Sequence, residues 1–120
     1  TTMTCLLLIQ ETRGARAARN EDEAHRQYDD MMAFAASLQA DGILRAAESL
    51  RTDDHAVRIS APGGKPQLLD GPFTEAREMV GGFFLLDITT REEALAIARR
   101  CPAVAWGTVE VRECAPCHVL

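Results

Sequence analysis

The sequence predicts an α+β domain in which two helices cover one face of a sheet, a split β-α-β arrangement. Three observations predict it. Asn20-Glu-Asp-Glu23 and Thr90-Arg-Glu-Glu93 each match a capping box and each opens an apolar pattern of helical spacing. Short apolar runs, the signature of strands, precede, separate and follow the two helices. The run Phe83-Phe-Leu-Leu86 is apolar on both of its alternating sides. Two helices cannot cover both faces of a sheet. The uncovered face needs another layer, most simply a second copy of the same sheet.

Met3–Ile9 is a nearly continuous apolar run and reads as a central strand. Gln10–Arg19, polar and small, with Gly14 and three arginines, reads as an exposed loop. After the Asn20 cap, Ala24, Tyr28, Met31, Ala35 and Leu38 recur every three to four residues, the buried stripe of a helix about five turns long. Met32 and Phe34 widen it, and Gly42 is the expected terminator. Ile43–Leu50 is a strand of weak propensity. His55–Ser60 alternates as a half-exposed strand, Ala61–Pro66 is a hairpin loop, and Gln67–Leu69 returns as a short strand. Gly82–Ile88 is the most apolar strand. The second helix buries Ala94, Ile97, Ala98 and Cys101 and stops at Pro102. Trp106–Arg112 is the last strand. Residues 1–113 are expected to form one domain, with 114–120 as a tail.

The chain has 120 residues, 47% of them hydrophobic and 26% charged, an ordinary globular composition. The net charge of -5 and the lack of a basic cluster disfavour direct nucleic-acid binding. No apolar stretch approaches the roughly 20 residues of a membrane span. The expected setting is cytoplasmic, with the four cysteines reduced. Cys114-Ala-Pro-Cys-His118 fits a haem-attachment pattern, but without an export signal it reads as an uncommitted tail. No metal and no cofactor are expected.

The chemistry-bearing stretch is Asp70-Gly-Pro-Phe-Thr-Glu-Ala-Arg-Glu-Met-Val-Gly-Gly-Phe83. Gly71-Pro72 enforces a turn, and Asp70 suits an Asx-turn. Thr74 suits the cap of a short helical turn on which Glu75 and Glu78 share a face. Gly81-Gly82 suits a bulge or a close backbone approach. In the plainer reading, Glu75 and Glu78 are solvated and Arg77 pairs with one of them. In the functional reading, the carboxylates meet in a cleft and perturb one another for acid–base work. Glu48 and Arg58 either pair with each other or line that same pocket.

This stretch resembles the signature of the YCII-related family in its DGPF subgroup, which runs close to D-G-P-F-x-E-x-K-E-x-x-G-G-F. Asp70, Gly71, Pro72, Phe73, Glu75, Glu78, Gly82 and Phe83 match, and Arg77 replaces the lysine. The opening strand, Gly42, Glu48, Leu50, Arg58 and Val109–Arg112 extend the likeness over most of the chain. The resemblance implies a ferredoxin-like fold that pairs into a dimeric α/β barrel. Some relatives carry a histidine on the first helix, paired with an acid. Its position falls on Met31 here, which puts histidine-based catalysis in doubt; His25 lies nearly two turns earlier.

The expectation is a homodimer binding a small polar molecule near Asp70–Phe73. Asp70 or Glu75 would act as acid–base group, and Glu48, Arg58, Gly71, Phe73, Arg77 and Glu78 would bind ligand. The alternative is a non-catalytic interaction or regulatory module. Such domains resemble modules beside some sigma factors, which implies a transcription-linked partner.

Overall fold

The computed structural model describes residues 2–120. β1 (Met3–Thr12) leads through α1 (Ala15–Ala18) into α2 (Glu21–Ala40) and β2 (Leu44–Ser49). A hairpin of β3 (Val57–Ser60) and β4 (Gln67–Asp70) follows. β5 (Glu78–Ile88), α3 (Arg91–Arg100) and β6 (Thr108–Glu113) complete the chain. The main sheet has the order β2-β5-β1-β6, with antiparallel neighbours throughout. β5 therefore lies between β1 and β2, the split β-α-β arrangement of a ferredoxin-like fold. The sheet is open; β3 and β4 form a separate two-stranded sheet.

Both N-caps form, and the second has a return bond from its glutamate. The Asn20 side chain accepts from Glu23 N at 2.8 Å. Thr90 Oγ1 accepts from Glu93 N at 3.2 Å, and Glu93 Oε2 accepts from Thr89 N at 2.9 Å. Each places acidic residues at the positive end of its helix. Gly42, at φ 73°, ends α2 in the left-handed conformation expected there.

Period-two alternation sorts the central strands. Cys5, Leu7 and Ile9 on β1 and Phe84, Leu86 and Ile88 on β5 are buried under the helices. Phe34 and Leu38 of α2 and Ala94, Ile97 and Ala98 of α3 complete this core. Phe34 meets Phe84 edge-on, with ring centroids 5.2 Å apart. On the other face Leu6 and Leu8 lie opposite Leu85 and Phe83, with no helix over them.

Two expectations about α2 need correcting. Its apolar stripe is buried only from Met31 onward, and Tyr28 is 55% exposed. Met32 does not widen the core; it is 52% exposed. Between the first half of α2 and the sheet lies a space lined by Glu11, Arg16 and Arg19 rather than filled by apolar core. The segment Gln10–Arg19 is also not the loop expected. β1 runs on to Thr12 and α1 follows.

The molecule is flat, 45 × 43 × 19 Å, with a radius of gyration of 16.3 Å. A compact chain of this length would have about 13.5 Å. The β3–β4 hairpin contributes to the difference: Val57, Ile59, Leu68 and Leu69 are all exposed on it. Among the described residues no helix is long and apolar enough to cross a membrane.

Leu38→Ala removes a side chain with no solvent exposure. It should cost about 2–5 kcal/mol in urea denaturation, whereas exposed Met32→Ala should cost less than about 1 kcal/mol.

Candidate functional site

Two polar centres flank the segment joining β1 to α2. The first is a clasp around the Asp70–Phe73 turn. Arg13 donates through Nη1 and Nη2 to both oxygens of Asp53, at 2.8 and 2.5 Å. Its Nε reaches Ala76 O at 2.8 Å, and Nη2 also reaches Phe73 O at 2.9 Å. Asp53 Oδ2 accepts from Phe73 N at 3.2 Å. One bidentate ion pair thus fixes the turn from both sides. The Arg13 hydrogen bond is the main reason that the Asp53 carboxyl falls from 3.8 to about 2. Gly71 is obligatory, since a Cβ there would lie 1.8 Å from Asp53 O. The Gly71-Pro72 peptide is cis.

Several of the expected site residues gather here. Arg58 Nη1 donates to Glu75 Oε1 at 3.0 Å, and the Arg58 guanidinium lies 3.7 Å from the Phe73 ring centroid. Its own backbone N–H and Arg58 hold the Glu75 carboxyl below its usual range. Phe73 is buried, while Asp70, Glu75, Arg77 and Glu78 are exposed. The Asx-turn expected of Asp70 does not form: among the described residues its carboxylate accepts no hydrogen bond, and Asp53 supplies the bond to the turn. Thr74 caps no helix; Thr74 and Glu75 form a simple turn closed by Ala76 N donating to Phe73 O at 3.1 Å. Glu78 begins β5 opposite Thr12, so Glu75 and Glu78 share no helical face. Arg77 contributes its backbone carbonyl, which accepts from Arg13 N at 2.8 Å. Glu48 is not with Arg58. It lies on β2 opposite Phe83.

The second centre is a cavity of about 540 Å³ between the first half of α2 and the sheet. Its polar end holds Glu11, 2% exposed on the helix side of β1. Arg16 grips Glu11 Oε2 through Nε at 2.8 Å and Nη2 at 2.7 Å. Arg16 also donates to Leu50 O at 2.6 Å and Gly81 O at 3.0 Å. Arg19 Nη2 stands 3.6 Å from Glu11 Oε1, and Nη1 donates to Gln27 Oε1. The Arg19 guanidinium lies 5.6 Å from the Trp106 ring centroid. Tyr28, Met31, Ala35, Phe84 and Trp106 form an apolar wall, and Glu48 lies at the rim. Gly81 is the extra residue of a β-bulge opposite Ile9 and Gln10. A Cβ there would fall 1.9 Å from Glu11 Oε2, so only glycine leaves room for the carboxylate.

Sequence reasoning missed Glu11, Arg13, Arg16, Arg19 and Asp53. A signal existed for the first. Glu11 continues the buried alternation Cys5, Leu7, Ile9, and a carboxylate at a buried position needs a cation close by. The thiols separate cleanly. Burial raises the pKa of Cys5 and Cys101, and Cys101 Sγ approaches Met31 Sδ at 3.9 Å. Cys114 and Cys117 are exposed.

The open sheet, the two helices on one face and the ligand-sized space beneath one of them define an α+β sandwich with an internal pocket. Within that class the chain belongs to the YCII-related family, whose domain model matches residues 3–118. A Rhizobium meliloti (strain 1021) protein, described only as uncharacterised, is 28% identical over 108 residues, or 88% of this chain and 87% of the relative.

The lowered carboxyl gives the Arg13–Asp53 clasp a definite pH dependence. Its stabilisation is complete above the unfolded value of 3.8 and is lost as pH falls toward about 2. Asp53→Asn should unfold at lower urea than wild type at pH 7, and the gap should close between those two values. A gap that persists unchanged to pH 2 would assign the effect to something other than this ion pair.

Proposed function

We propose that this protein is a dimeric small-molecule-binding member of the DGPF subgroup, with its ligand seated between α2 and the sheet. The observation that carries this reading is the cavity of about 540 Å³, within the usual range for small-molecule sites and lined by both arginine side chains and an apolar wall. Met31, at the position where some relatives carry a histidine, lines it. With methionine there, and with Glu11 engaged by Arg16, binding is favoured over proton transfer. Asp70 and Glu75 lie outside the cavity, Glu75 paired with Arg58, so acid–base work by them would act on a ligand portion reaching the turn.

The dimer follows from Leu6, Leu8, Phe83 and Leu85, which share the sheet face that no helix covers. A second sheet packed there would give the dimeric barrel implied by the family resemblance. The exposed apolar hairpin favours a second reading, an interaction module with a protein partner on Val57, Ile59, Leu68 and Leu69.

Native mass spectrometry before and after denaturation separates these readings. The expected result is a dimer carrying a small mass that denaturation releases. Ala35→Phe, which fills the cavity, should abolish that mass and leave the dimer. A dimer with nothing bound would favour the interaction module. A monomer would overturn the argument from the uncovered face.

A further inference from the structure

We propose that the cavity under α2 takes a small organic monoanion with a flat apolar body, its carboxylate held by Arg19. This rests on reading that cavity as the ligand site. The argument begins with charge. Glu11, Arg16, Arg19 and Glu48 are the charged residues around the space. Glu48 pairs with Phe83, whose side chain faces away from the helices, so its carboxylate belongs to the opposite face. Two guanidiniums and one buried carboxylate remain, leaving a single positive charge in excess. One added negative charge balances it, which suits a monocarboxylate better than a doubly charged phosphate.

The donors agree with the charge. All three nitrogens of Arg16 are engaged, by Glu11, Leu50 O and Gly81 O. Arg19 is not. Its Nη2 is 3.6 Å from Glu11 Oε1, beyond a good hydrogen bond. Its Nε is buried and, among the described residues, is the one buried side-chain nitrogen or oxygen without a hydrogen-bond partner. An idle buried donor is costly, and on a guanidinium it is an unfilled half of a bidentate site. Nε has no solvent-accessible surface, so the guanidinium turns toward the cavity when a carboxylate takes Nε and Nη2, and the cost is removed. Trp106, Met31 and Phe84 then offer the apolar body a wall of aromatic and thioether surface.

Trp106 is the chain's single tryptophan, so its fluorescence reports occupancy of this cavity directly. The test titrates the full chain with phenylacetate and with its uncharged isostere phenylacetamide. Phenylacetate should give a saturable response at least about tenfold tighter than the amide. Added salt should weaken the acid and leave the amide unchanged. Arg19→Gln should reduce the acid to the amide's affinity, and Arg19→Lys, which keeps the charge but loses the fork, should fall between. If Arg19→Gln does not fold, the wild-type comparison of acid and amide still decides. Equal affinity for the two probes overturns the anion assignment and leaves the ligand-site reading standing. No saturable response to either overturns the proposal; the separate absence of a released mass in native spectra would remove the ligand site as well.

Discussion

The buried carboxylate of Glu11 is the constraint on which the rest of the molecule depends. Taking such a group out of water costs several kcal/mol unless a cation and hydrogen bonds compensate. The compensation comes from Arg16, and it sets the local architecture. α1 must fold back over the end of β1 so that Arg16 can reach Oε2. β5 must bulge at Gly81 to make room, and Gly81 O then accepts from the same guanidinium. Leu50 O, at the end of β2, is drawn in as well. One ion pair therefore ties β1, β5 and the residue after β2 together at the charged end of the cavity.

The same segment also secures the turn at Asp70–Phe73. Arg13 leaves on the opposite side from Arg16 and Arg19, and it binds Asp53, Phe73 O and Ala76 O. The eight residues between β1 and α2 thus carry the arginines of both polar centres. The turn and the cavity are separate in space but share a single mechanical support.

Much of the fold was legible because it rests on local periodicity and capping. Asn20 and Thr90 announce the two helices, and the alternation in β1 and β5 announces two apolar faces. The site was less legible. Asp70 stands in the motif, yet the bond to the turn comes from Asp53, whose partner Arg13 is 40 positions away in the chain. Arg16 and Gly81 are separated by 65. Polar residues in Gln10–Arg19 look like a solvated loop because a charge is classified by its own character, whereas its burial is decided by partners that only the tertiary fold supplies. Tyr28 misled in the opposite direction. Its spacing belongs to the core stripe, but the core begins one turn later, at Met31.

The distribution of thiols confines the protein's oxidation chemistry. Burial keeps Cys5 and Cys101 protonated, hence weakly nucleophilic, and closes them to peroxide or alkylating reagents. Cys114 and Cys117 lie outside the sandwich, on a segment whose attachment to β1 is a backbone bond from Cys114 N to Thr4 O. Oxidants would reach the tail first. Sulfur chemistry there can join or block two side chains while the packed layers and both polar centres keep their geometry.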